Sequence, residues 1–206
     1  MILHKVGIIN GFLNMPKYTK RLGEIYKVIH MNPKIYSFNS YMYSGYLHPY
    51  LNGDIKKIVD ECDVIHCLSG SGYPIIPYLL KHQIDKPVIF ECTPLNAHSG
   101  PFLSALNITK DKNHGNKYCE AVLSKLCYPE HWKKDVLYNG IDELKSRNKL
   151  LILQSKEDHI SCIKNREHVV DHLYEKGRHA QLFYVNDFTI VNEFLHKHLV
   201  SKKGGC

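Results

Sequence analysis

The chain contains no C-x-x-C pair, no G-x-G-x-x-G or G-x-x-x-x-G-K-[ST] loop, and no apolar run near the roughly 18 residues that a membrane-spanning helix requires. No transmembrane segment is therefore expected, and the two common glycine-rich phosphate cradles are excluded. The seven cysteines are odd in number and scattered through expected strands and helices, so buried thiols are the simplest account. That usage points to the cytoplasm or another reducing intracellular compartment. The opening MILHKVGIIN has no signal-peptide pattern, in keeping with that expectation. Residues 201–206 (SKKGGC) end in a cysteine without a C-a-a-X box, so a flexible tail is expected rather than a lipid anchor. No basic segment is interleaved with aromatics, so no nucleic-acid partner is expected. There is no internal repeat and no low-complexity stretch.

What is present describes one globular domain. At 206 residues the chain can bury one good core, and 44% hydrophobic with 23% charged residues is ordinary for a folded protein. The formal charge of +7 gathers in Lys110, Lys112, Lys117, Lys125, Lys133 and Lys134, which read as a solvated face. Residues 1–200 form the expected domain.

Strands and helices alternate along it. Strands are expected at residues 5–9 (KVGII), 34–38, 64–68, 87–92 (PVIFEC), 149–154 (KLLILQ) and 180–185. Helices are expected at residues 17–30, where Leu22, Ile25, Tyr26 and Ile29 have helical spacing, and at 51–62, 163–177 and 188–200. This order implies an α/β fold, a mostly parallel sheet of about six strands with helices on both faces. Residues 93–147 form a long excursion, read as a lid-like insertion.

The segment DVIHCLSGSG at residues 63–72 carries the chemistry. A buried strand breaks at Ser69 into small residues, and a helix with Ile75, Ile76, Leu79 and Leu80 follows. Strand, sharp turn and helix make the geometry of a nucleophile elbow, which lifts one serine hydroxyl above the sheet edge. The helix N-terminus behind it offers N–H groups to an oxyanion. Ser69 outranks Ser71 on sterics: Ser69 is followed two residues on by Ser71, whereas Ser71 would put Tyr73 at the crowded position. Cys67 and Ser71 stand where G-x-S-x-G has glycines. An ordinary tight turn is the competing reading.

Asp158 is the candidate acid. LLILQSKEDHI runs from an apolar strand into a polar loop, the place of the acid in the chain order serine, acid, histidine. The alternative is an acidic cap for the next helix.

With VGIINGF, IHCLSGSG, FECTP, LLILQSKED, HVVDHLYEKG and AQLFYV in place, the chain resembles the α/β-hydrolase superfamily. Within it, the chain is similar to the transmembrane protein 53-like family of hydrolase-like proteins over roughly residues 5–199. The resemblance implies a hydrolase fold lacking its first two strands, Ser69 as nucleophile and Asp158 as acid. It also implies an oxyanion hole from the N–H groups of Gly70 and of Gly11 or Phe12.

Such proteins carry the general base in the loop before the last helix. With a final strand at 180–185, that loop is Asn186-Asp187 and holds no histidine. A serine without an imidazole is a poor nucleophile. Of the 14 histidines, His98 best replaces the base by topology, with Glu91 or Asp158 as its orienting partner. Cys119, Cys127 and His131, and the pair His66–Cys67, lack structural zinc spacing, so neither metal nor cofactor is expected. Two functions follow. One is a serine hydrolase of an ester, thioester or amide bond, acting on a small-molecule or acyl substrate. The other is a catalytically degenerate hydrolase fold that binds or regulates a protein partner.

Overall fold

Strands buried on both faces of a parallel sheet are nearly continuous apolar runs. Val64–Leu68 (VIHCL), Val88–Glu91 (VIFE) and Leu150–Ser155 (LLILQS) have this character, with every residue buried. The computed structural model describes residues 3–9, 16–36, 55–93, 134–147, 149–158, 167–177, 179, 182 and 187–199. In it the three runs are the central strands of one sheet. The strands are β1 (Lys5–Ile9), β2 (Asn32–Tyr36), β3 (Val64–Leu68), β4 (Val88–Glu91), β5 (Leu150–Ser155) and β6 (His172–Tyr174). Their order is β2-β1-β3-β4-β5-β6 and every pairing is parallel. The expected six-stranded α/β architecture is what forms.

Helices cover both faces. On one face α2 (residues 55–61), α3 (Gly72–Lys81) and α4 (Lys134–Ser146) set Ile58, Ile76 and Ile141 against Ile65, Phe90 and Ile152. On the other, α1 (Pro16–Val28) and α5 (Thr189–Leu199) set Leu22, Tyr26, Val191 and Leu195 against Val64, Ile89 and Leu151. Alternate residues of β3, β4 and β5 feed the two cores, as the period of two requires. Between α3 and α4 the approach is so close that a Cβ on Gly140 would lie 2.7 Å from Ile76 Cγ2 and 2.9 Å from Leu80 Cδ1. Among the described residues no helix is long and apolar enough to cross a membrane.

Among the described residues the last strand lies elsewhere than the sequence suggests. The helix expected at 163–177 is instead a 3-10 turn at Glu167–Val169 followed by β6 at His172–Tyr174. Of the strand expected at 180–185, only Leu182 is described, and it is helical. Asp171 secures β6 on the edge: its carboxylate accepts the N–H of Ile152 at 2.8 Å, and its own N–H donates to the Ile152 carbonyl at 3.0 Å. Of the excursion at 93–147 that the sequence suggests as a lid, residues 94–133 lie outside the described residues.

Candidate active site

The C-terminal ends of β3 to β6 lie side by side along one edge of the sheet, where open α/β sheets place ligand sites. β3 ends at Ser69, the first residue of a 3-10 turn, Ser69–Ser71, and α3 starts at Gly72. Ser69 has φ 54°, a left-handed conformation unusual for a residue with a Cβ. The turn is pressed against β4. A Cβ on Gly72 would come 2.9 Å from Thr93 Cγ2, and Thr93 Oγ1 donates to the Ser69 carbonyl at 3.0 Å. Only glycine leaves room there.

The two serines have different fates. The hydroxyl of Ser71 is fully buried and faces the carbonyls of Leu68, at 2.8 Å, and Ile9, at 3.1 Å. It ties the ends of β1 and β3 together and is withdrawn from chemistry. Ser69 is half-buried, and its Oγ lies 2.8 Å from Nε2 of His179. The other ring nitrogen of His179, Nδ1, lies 2.9 Å and 3.0 Å from the two carboxylate oxygens of Asp158. Ser69, His179 and Asp158 thus form one hydrogen-bonded line from three separate strand ends. The Asp158 carboxylate is shielded from solvent, while 13% of the imidazole is exposed.

Backbone contacts lock the acid and histidine loops together. The Lys156 N–H donates to the Tyr174 carbonyl at 2.9 Å, and the Gly177 N–H donates to Glu157 Oε2 at 3.2 Å. Gly177 has φ 124°, so its lack of a side chain permits the turn that leads out of β6 toward His179.

His179 overturns the expectation that the loop after the last strand holds no histidine. That expectation follows from placing the strand at 180–185; with β6 at His172–Tyr174, His179 falls five positions beyond it. The clue available in the sequence is the turn-forming EKGR directly before His179. His98, Gly11 and Phe12 lie outside the described residues. Gly70 occupies the middle of the 3-10 turn, next to Ser69. His66 is in β3 and Glu91 in β4, both fully buried on the α1 face, so neither enters the Ser69 line.

Cys92 is the one metal-ligand type near this line among the described residues: it, Asp158 and His179 have ligand atoms within 4.8 Å of one another. Both ring nitrogens of His179 are already engaged. A cation would have to displace those bonds, so the arrangement suits a proton relay better than a metal centre.

A six-stranded parallel sheet wrapped by helices, with a serine at positive φ between the third strand and the next helix, matches the α/β-hydrolase fold. The solved structures similar to this chain have that fold. The Pyrococcus furiosus esterase Pf2001 is similar at 12% identity and a TM-score of 0.56, over 96% of this chain and 83% of that one. The esterase domain of a Rhodothermus marinus protein is similar at 12% identity and a TM-score of 0.56, over 94% and 85%. A bromoperoxidase from Bacillus anthracis is similar at 11% identity and a TM-score of 0.52, over 94% and 92%. No protein-family model matches the chain, and no curated protein sequence matches it.

Proposed function

We propose that the chain is a serine hydrolase of carboxylic ester, thioester or amide bonds, with Ser69 as nucleophile, His179 as general base and Asp158 as its orienting acid. The observation that carries this reading is the 2.8 Å contact between His179 Nε2 and Ser69 Oγ. Asp158 on Nδ1 fixes the tautomer that leaves Nε2 free to accept a proton. Ser69 Oγ attacks the acyl carbonyl and its proton passes to His179 Nε2. The resulting oxyanion is held by the N–H of Gly70 with that of Gly11 or Phe12. Collapse breaks the bond to the leaving alcohol, thiol or amine, which takes the proton from His179. Water, deprotonated by the same imidazole, then releases the acid and restores Ser69.

The base role belongs to His179 in this reading and not to His98. A degenerate, partner-binding fold would rest on an absent base; with His179 as base, the hydrolase reading is the one we favour. Residues 1–200 serve as one catalytic domain with the insertion 93–147 as its lid, and we group the chain with the transmembrane protein 53-like family on the segments quoted above. The similarity of the fold to two esterases favours a small-molecule or acyl substrate.

Labelling with a fluorophosphonate probe tests this directly. Wild type is expected to label, and Ser69→Ala not at all. His179→Gln is expected to react about 10³-fold more slowly or worse, and Asp158→Asn at least about 10²-fold more slowly. Loss of labelling in His98→Ala instead would hand the base role to His98. Well-folded wild-type protein that does not react would sink the hydrolase reading.

A further inference from the structure

On the α1 face of the sheet lies a buried polar cluster that the proposed chemistry does not use. Glu91 is completely buried at the C-terminal end of β4. The Tyr18 hydroxyl donates to its Oε1, the Leu182 N–H donates to the same oxygen at 3.2 Å, and His66 Nε2 lies 3.0 Å from its Oε2. Tyr26 Oη completes the chain at 2.7 Å from His66 Nδ1. Burial first, and the charge of Glu91 second, push both phenols up, so each stays a neutral donor. The tautomer with the His66 proton on Nε2 lets every member bond: Tyr26 donates to Nδ1, and Nε2–H, Tyr18 and Leu182 all donate to one carboxylate.

Such a cluster is costly to bury, and a leucine at position 91 would continue the apolar run of VIFE. What sets Glu91 apart is its third donor. Leu182 is three residues beyond His179, on the segment that leaves β6, and its N–H is bonded to the side chain that ends β4. Two residues along from Glu91, Thr93 holds the Ser69 carbonyl. One strand end therefore grips both the segment that carries the nucleophile and the segment that carries the histidine. We infer that Glu91 is a positioning residue, whose carboxylate sets the His179 imidazole against Ser69 by anchoring the backbone at Leu182. This rests on the serine-hydrolase reading above. Tyr18 and His66 take up the rest of the carboxylate's acceptor capacity, while Tyr26 reaches only the far nitrogen of His66 and does not touch Glu91.

The mechanism distinguishes acceptor from charge. In Glu91→Leu the Leu182 N–H loses its acceptor. In Glu91→Gln the amide oxygen still accepts from Leu182 and Tyr18, and the amide N–H donates to His66 once the ring proton moves to Nδ1 and points at Tyr26. Fluorophosphonate labelling rates of wild type, Glu91→Leu, Glu91→Gln and Tyr26→Phe would be compared at equal intervals below each protein's melting point. Amide exchange would be followed at Leu182 in the wild type. The expected result is a loss of about tenfold or more for Glu91→Leu. Glu91→Gln should stay within about threefold, and Tyr26→Phe should react as fast as wild type despite a lower melting point. The Leu182 amide should be as protected as those of the central strands. Equal rates for Glu91→Leu and wild type would overturn the inference. So would an equal slowing of all three variants, which marks a purely structural cluster. Fast exchange at Leu182 overturns it even where Glu91→Leu does not fold. Wild type that never labels sinks the hydrolase reading itself, an outcome distinct from labelled wild type with an indifferent Glu91.

Discussion

Ser69 holds φ 54°, a backbone state that costs a residue with a Cβ about 1–2 kcal/mol. The neighbouring contacts impose it: Ser71 is tied to the carbonyls of Ile9 and Leu68, and Thr93 to that of Ser69. Removing the hydroxyl does not remove the strain, because alanine keeps the Cβ. Glycine removes both. Ser69→Gly is therefore expected to be more stable than Ser69→Ala by about 1 kcal/mol, after the larger unfolded-state entropy of glycine is counted. Urea unfolding of the two variants measures the difference, and an alanine variant as stable as the glycine one would show that position 69 is not strained. Local sterics made Ser69 legible in the sequence, since the ranking over Ser71 needed only side-chain size. The task of Ser71 was not legible, because its partner Ile9 lies 62 residues away in the chain and becomes its neighbour only when β1 pairs with β3.

The elements differ in how plainly they are written. α5 has a clear start: Asp187 Oδ1 accepts the Thr189 N–H at 3.0 Å, and the first helical bond runs from the Asn192 N–H to the Phe188 carbonyl at 2.9 Å. The bonds from Thr189 hold the Asp187 carboxyl below its ordinary value of 3.8. A depressed folded-state pKa gives stability that is complete above the ordinary value and disappears as pH falls through the depressed one. Asp187→Ala should thus lower the melting point by about 1–3 °C at neutral pH, the low end of a capping loss because the group is exposed. Wild type and variant should converge below pH 3.8. A gap unchanged in acid would mean that the ionised carboxylate is not the cap. β6 is the opposite case. Three residues cannot display a period of two, and Val169, Val170 and Leu173 have the spacing of a helix face. AQLFYV, six residues on, is the stronger apolar run. What makes His172–Tyr174 a strand is the long-range pairing with β5, clamped by Asp171, and it carries no local mark. Because His179 takes its place from β6, missing the strand meant missing the histidine.

In the whole molecule, the parallel sheet confines the candidate site to one edge while helix packing holds the body together, so the two can be perturbed separately. α4 docks on α3 through Gly140, where a side chain has no room beside Ile76 Cγ2 at 2.7 Å. Valine at this position would gain little as a helix former and would force the helices apart. Overpacking of this kind costs about 1–3 kcal/mol, more than the fraction of about 1 kcal/mol recovered by removing a helical glycine. For a chain of this size the melting point of Gly140→Val should fall by about 2–12 °C. The bonds that join Ser69, His179 and Asp158 do not pass through α4; they spring from β3, β5 and β6. Well below the transition, then, the fluorophosphonate labelling rate per folded molecule should remain within about twofold of wild type, as for separated, independent sites. Thermal unfolding and labelling of the one variant measure both quantities. A labelling rate that falls with the melting point would mean that α4 takes part in shaping the turn at Ser69, and the separation between body and site edge would have to be abandoned.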